Sequence, residues 1–161
     1  MLGLYEYLEV CMDFNKIKDI IEFAVAKEQE AVNFYTELAG KVSNKAVAAE
    51  LMDMAAMEER HRDWLKENSV SLATSTCAVP VANLQIADYT VEPHVGKDLT
   101  WQDVVNLAMH REASAMELYN NLEQLVTETS AKQMFQQLAA EESRHKLYFE
   151  SIWDDEVLIE N

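Results

Sequence analysis

Glycine and proline are scarce, with three and two residues respectively in a chain of 161. So few chain-breakers, beside abundant Ala, Leu, Met and Glu, argue against sheets and for helices. Cysteine is nearly absent too. Cys11 and Cys77 stand alone with no C-x-x-C, which excludes a zinc or iron site built from thiolates of this chain. A Cys11–Cys77 disulfide stays open, but two free thiols in a reducing compartment are the simpler reading, so a cytoplasmic location is expected. Basic residues are outnumbered 13 to 29 by acidic ones, for a net charge of −16. Nucleic acid and anionic membrane surfaces would repel such a chain, so neither is expected as a partner. Nowhere do apolar residues run unbroken for the roughly 18 positions of a membrane span. The N-terminus, with Leu2, Leu4, Tyr5, Tyr7, Leu8 and Val10 broken by Glu6 and Glu9, lacks the basic start and apolar run of a signal peptide.

What the sequence does have is a repeat. Glu-Glu-Arg-His at 58–61 returns as Glu-Ser-Arg-His at 142–145, 84 residues on. The same offset carries Glu28 onto Glu112 and Tyr35 onto Tyr119 without a gap, and it also matches Ala24 with Ala108, Leu38 with Leu122 and Ala55 with Ala139. An ungapped internal duplication of this kind predicts two helical hairpins related by an approximate two-fold axis.

Taken in order, residues 1–13 read as a short amphipathic helix. From Asn15, a plausible N-cap, apolar residues recur at three- and four-residue steps to about residue 39, where Gly40 is the expected stop. The short segment that follows makes the second helix, about 45–67, antiparallel to the first. Residues 68–99 contain Ser, Thr and Asn, both prolines (Pro80, Pro93) and Gly96, and are expected to form a long crossover. The third helix, about 100–124, opens on Thr100 as cap with Asp103 three residues on and a Leu99–Val104 hydrophobic staple. The fourth covers about 130–153, followed by an acidic tail. The chain is most simply one domain, 1–161: an all-α, ferritin-like four-helix bundle made of two pseudo-symmetric hairpins joined by a crossover.

Glu28, Glu58, His61, Glu112, Glu142 and His145 all fall on the inward stripes of these helices, where a lone carboxylate is costly. A Glu-x-x-His pair places both donors on one helix face. Four carboxylates and two imidazoles on four helices are the donor set of a dinuclear metal site, suited to iron and equally to manganese. By symmetry Glu58 and Glu142 are expected to bridge, Glu28 and Glu112 to be terminal, and His61 and His145 to hold one metal each. Carboxylates carrying −4 would neutralise two divalent cations. One Glu-x-x-His in a Glu-rich helix arises by chance; a duplicated set on inward stripes is much harder to obtain that way. Tyr35 and Tyr119, two turns beyond the terminal carboxylates, are either hydrogen-bond donors to them or ordinary buried tyrosines. Arg60 and Arg144 are expected to pair at the surface, His110 to face away and His94 to lie in the crossover, and the eight methionines signal packing.

Over about 15–153 the chain resembles the rubrerythrin branch of the ferritin-like superfamily. The resemblance rests on Lys-Glu-Gln-Glu-Ala-Val-Asn-Phe-Tyr at 27–35, Glu-Glu-Arg-His at 58–61, Arg-Glu-Ala-Ser-Ala-Met-Glu-Leu-Tyr at 111–119 and Glu-Ser-Arg-His at 142–145. It implies a dinuclear iron site on Glu28, Glu58, His61, Glu112, Glu142 and His145, with two irons per bundle. Two departures stand out. The position where rubrerythrins carry an extra Glu, three residues before the third-helix ligand, is Met109 here. The rubredoxin domain that usually supplies their electrons has no counterpart in this sequence, so an external electron donor is implied. The remaining six-residue set is closer to the ferroxidase centre of bacterioferritin.

The expected activity is oxidation of Fe(II) by peroxide or dioxygen, in peroxide detoxification or iron handling, as a diiron oxidoreductase. The alternatives are an iron-binding or storage subunit without turnover, a dimanganese protein, an oxygenase acting on an organic substrate, and a metal-free interaction module. Rubrerythrin-like chains form dimers, so a homodimer is implied.

Overall fold

A computed structural model describes residues 17–72 and 99–159, and the regular structure within them is entirely helical. The described residues form four helices: α1 (Ile17–Lys41), α2 (Lys45–Leu72), α3 (Trp101–Leu125) and α4 (Thr129–Ile159). The expected N-terminal helix, Asn15, Cys11, Cys77, His94 and nearly all of the crossover lie outside the described residues. None of the described helices is long and apolar enough to cross a membrane.

Local chemistry sets the helix ends. Thr100 caps α3 with a reciprocal pair of bonds. Its hydroxyl accepts from the backbone N–H of Asp103 at 3.1 Å, and its own N–H donates to the Asp103 carboxylate at 2.9 Å. Leu99 packs against the apolar cluster that contains Val104, as the staple requires. Asn44 caps α2 through its side-chain oxygen, which accepts from the N–H of Ala46 at 2.9 Å. Glu128 does the same for α4, accepting from the N–H of Ala131 at 2.7 Å, and adds a negative charge where the helix dipole favours one.

Three boundaries differ from the sequence reading. α2 continues five residues past the expected end at 67, because its polar residues bond back onto the helix rather than leaving it. Asn68 donates to the carbonyl of Trp64 at 2.8 Å, and Ser69 to that of Lys66 at 2.7 Å. α4 likewise runs on through the acidic segment to Ile159, which contains neither glycine nor proline to stop it. Gly40 lies inside the last turn of α1 with an ordinary backbone conformation, not beyond the end as a left-handed cap.

α1 packs along α2 and α3 along α4, giving two antiparallel hairpins. Across the bundle α1 opposes α3. Tyr35 of α1 reaches Glu112 of α3 while Tyr119 of α3 reaches Glu28 of α1, so the two helices run antiparallel. α2 and α4 are related in the same way: His61 meets Glu141 and Glu50 meets Tyr148. A two-fold axis perpendicular to the bundle therefore exchanges the hairpins, as the 84-residue offset predicts.

The core has two apolar clusters. One gathers Ile17, Ile20, Ile21, Leu65, Leu118, Leu122 and Phe135 at one end of the bundle. The other gathers Phe34, Leu38, Leu51, Met54, Val104, Val105 and Phe149 at the opposite end. Each such side chain contributes about 1.5–3 kcal/mol when fully buried. Along every helix the predicted donor residues fall between a residue of one cluster and a residue of the other. The polar layer is thus sandwiched between two dry ends.

Candidate metal centre

Each helix delivers its part of the layer by simple spacing. Glu58 and His61 are one turn apart on α2, and Glu142 and His145 are one turn apart on α4, so each pair faces inward together. Glu28 and Glu112 come singly from α1 and α3. Glu28, Glu58, Glu112 and Glu142 are between 1% and 3% exposed, so none of them can rely on water to solvate its charge.

The six side chains fall into two overlapping groups, Glu28–Glu58–His61–Glu142 and Glu58–Glu112–Glu142–His145. Within each, one donor atom per residue lies within 4.8 Å of the others. Glu58 and Glu142 belong to both groups. His61 points Nδ1 inward, 3.2 Å from Glu58, 3.1 Å from Glu142 and 3.9 Å from Glu28. His145 points Nδ1 at Glu112 at 3.2 Å and at Glu142 at 3.4 Å. The two rings stack in parallel, 5.7 Å apart with 10° between their planes. Tyr35 donates its hydroxyl to Glu112 and Tyr119 donates to Glu28, each bond crossing between the hairpins.

So dense a cluster shifts its proton equilibria. Burial, reinforced by the neighbouring Glu58 and Glu142, holds the carboxyl of Glu28 well above its usual range. Burial does the same to Glu112, and Glu142 and Glu58 add to it against the opposing pull of His145. Burial acts to lower His61, but its contacts with Glu142 and Glu58 outweigh that and push it up to about 12. His145, also opposed by burial, is raised to about 10 by Glu112 and Glu142. Glu142 goes the other way: despite burial, the flanking His145 and His61 hold it well below the carboxylate range. Tyr35 is pushed up by burial and by the charge of Glu112. Without metal, then, protons on the imidazoles and terminal carboxyls balance the buried negative charge.

That balance is incomplete at one residue. Both oxygens of Glu142 are buried and accept no hydrogen bond, although Nδ1 of His61 lies 3.1 Å away and Nδ1 of His145 3.4 Å away. An orphaned buried carboxylate costs free energy unless a cation meets it. Glu142 lies at the overlap of the two groups, where a bridging carboxylate would sit. Hard carboxylate oxygens with one imidazole per group suit divalent iron or manganese, so the donor chemistry fits a dinuclear metal centre.

Comparison with known proteins agrees. The family model described as Rubrerythrin matches residues 19–153. The chain belongs to the rubrerythrin family. Among solved structures it is similar to a protein of Thermotoga maritima described as a candidate ferritin-like diiron-carboxylate protein, with a TM-score of 0.67 and 22% identity over 88% of this chain and 96% of that one. It is also similar to an uncharacterised protein of Pyrococcus furiosus, with a TM-score of 0.61 and 24% identity over 86% of this chain and 88% of that one. At these identities the likeness speaks for the ferritin-like fold. No curated protein matches the chain.

The structure thus brings together all six residues that the sequence of this rubrerythrin-family chain singled out, and it turns both tyrosines toward the carboxylates. His110 is exposed, and Met109 offers no carboxylate beside Glu112. Arg144 pairs with Glu141 at 3.7 Å, whereas Arg60 lines the mouth of a pocket.

Three residues went unnoticed in the sequence. Lys27 and Arg111, each immediately before a terminal carboxylate, are both 6% exposed. Arg111 donates to the backbone carbonyl of Lys27 at 3.0 Å, and Lys27 pairs with Glu30 at 2.7 Å and sits over the ring of Phe23. They place two positive charges near the acidic layer. The signal for them was present, since the 84-residue offset matches them as a basic pair. The third is Glu141, whose carboxylate meets Nε2 of His61 at 2.8 Å. It has no acidic counterpart in the first hairpin, so the repeat could not reveal it.

Proposed function

We propose that Glu28, Glu58, His61, Glu112, Glu142 and His145 hold two iron ions, and that the chain oxidises Fe(II) with peroxide or dioxygen, in peroxide detoxification or iron handling. The observation that carries this reading is the orphaned Glu142 carboxylate at the overlap of two donor groups. Bound iron would supply Lewis acidity and one electron per ion. Hydrogen peroxide takes up two electrons and two protons as its O–O bond breaks, giving two waters and leaving two Fe(III).

The chain's own residues set the conditions for that exchange. Glu58 and Glu142 would span both metal positions and fix their separation. Glu28 and Glu112 would close each position from the side, held in place by the hydroxyls of Tyr119 and Tyr35. His61 and His145 surrender their protons when they bind, so the site exchanges protons for metal. The apolar clusters above and below exclude water from the layer. An open pocket of about 270 Å³, lined by Met57, Trp64, Leu138 and both histidines, gives small oxidants a way in.

Met109, where rubrerythrins carry a further glutamate, removes a carboxylate that could follow iron between oxidation states. Reduction back to Fe(II) is assigned to an external donor. A homodimer in the cytoplasm completes the reading, and manganese is the alternative occupant of the same donors.

The test is to load the protein anaerobically with Fe(II), add hydrogen peroxide in steps and follow both reactants. Two Fe(II) consumed per peroxide, faster than with free Fe(II), supports the reading. Iron that stays bound while peroxide persists at the free-iron rate would replace it with a storage role. Uptake of Mn(II) in preference to Fe(II) would favour the dimanganese alternative.

A further inference from the structure

Twofold repeats make matching sites, yet the surroundings of the two histidines do not match. A carboxylate can only accept a hydrogen bond, so the contact at 2.8 Å requires Nε2 of His61 to carry the proton and donate it to Glu141. Nδ1 therefore faces Glu58, Glu142 and Glu28, and it is the nitrogen that would offer its lone pair to a metal once it has given up its proton. Glu141 is itself held: Gln137 donates to its other oxygen at 3.1 Å, and the Arg144 guanidinium lies 3.7 Å away. The position related to Glu141 by the 84-residue offset is Met57, whose thioether cannot take that role. Both residues line the pocket beside the histidines. Among the described residues, Nε2 of His145 has no hydrogen-bond partner, and its ring is held by the inward contacts of Nδ1 and by stacking on His61.

Resting on the metal-binding reading above, we infer that Glu141 makes the two metal positions unequal. By fixing the tautomer and angle of His61 and adding negative charge behind it, Glu141 makes the position served by His61 the tighter one. The position served by His145, which has Met57 at the place equivalent to Glu141, is the one that fills last and empties first. Glu141 is a positioning residue in this scheme, because it acts through His61. An outer carboxylate on a ligating histidine typically changes metal affinity by roughly 10- to 100-fold.

The experiment is anaerobic Fe(II) titration by calorimetry of the full chain, of Glu141→Met, which reproduces the other side, and of Met57→Glu, which supplies the missing carboxylate. Wild type binds in two steps. Glu141→Met weakens the first step by roughly 10- to 100-fold and leaves the second in place, while Met57→Glu strengthens the second. In Zn(II)-loaded wild type, proton NMR shows one slowly exchanging imidazole N–H, from His61, which Glu141→Met abolishes; a residue that only supported the fold would not move that signal selectively. Two iron ions bound with a first step that Glu141→Met leaves untouched, or with both steps weakened equally, would overturn the inference while sparing the metal-binding reading. No iron taken up by wild type would overturn both.

Discussion

The two hairpins are near copies in the polar layer and match more loosely elsewhere. Glu28, Tyr35, Glu58 and His61 in the first correspond to Glu112, Tyr119, Glu142 and His145 in the second, and each tyrosine bonds to the carboxylate of the other hairpin. In the apolar ends the match is looser: Leu51 corresponds to Phe135, Leu65 to Phe149, and Phe34 to Leu118. All six are buried, so the larger ring in one hairpin is offset by a smaller side chain elsewhere in the same packing. A core accepts any apolar set of the right total volume. A site that must present charge at fixed distances from two sides does not, and this contrast locates function more sharply than burial does.

The largest effect expected from breaking the symmetry comes from a shared residue. Glu142→Ala removes a donor from both groups and is expected to take bound metal from two ions per chain to none at micromolar Fe(II). Glu28→Ala and Glu112→Ala each strip only one group and are expected to leave one ion, with elemental analysis of the dialysed proteins distinguishing the cases.

Next in size is the pH dependence. The folded, metal-free protein keeps protons on His61 up to about 12 and on His145 up to about 10, whereas the unfolded chain releases them near 6.5. Folding therefore gains from these protons fully below pH 6.5, and the gain fades as pH rises through 10 and then 12. Glu28 and Glu112, raised above 4.5, add to the trend from lower pH. The melting temperature of the metal-free protein is expected to fall between pH 6.5 and 9, while metal, taking the protons' place, keeps the loaded protein level. Thermal melts of both forms across that range check the divergence.

The tyrosines give a symmetric pair of smaller effects. Tyr35→Phe and Tyr119→Phe each remove the donor to a buried carboxyl and should cost about 0.5–1.5 kcal/mol in urea unfolding of the metal-free protein. Near-equal losses would bear out the two-fold relation, whereas a large disparity would mean that the hairpins differ more than their distances suggest. The smallest effect lies outside the repeat's chemistry. Gly40 has open space where a Cβ would stand and an ordinary helical backbone, so Gly40→Ala should stabilise by about 0.5–1 kcal/mol and leave metal uptake unchanged.

Much of this was legible in the sequence, and the reason is the repeat. One offset placed Glu28, Glu58, Glu112 and Glu142 on a common layer before any coordinates did, because helical spacing turns sequence distance into direction. What it could not convey falls into two kinds. The extension of α2 past 67 depends on Asn68 and Ser69 folding back onto their own helix, and composition alone reads such residues as loop. Glu141 and the burial of Lys27 and Arg111 depend on contacts between hairpins, which become visible only once the helices are packed.

The central claim is that one layer across the two-fold axis holds a pair of metal ions. Its most direct test is the stoichiometry of anaerobic Fe(II) binding to the wild-type chain, followed to saturation and repeated with Glu142→Ala. The account predicts two ions per chain in the first case and none in the second. One ion or none in wild type, or two ions retained without Glu142, would contradict it.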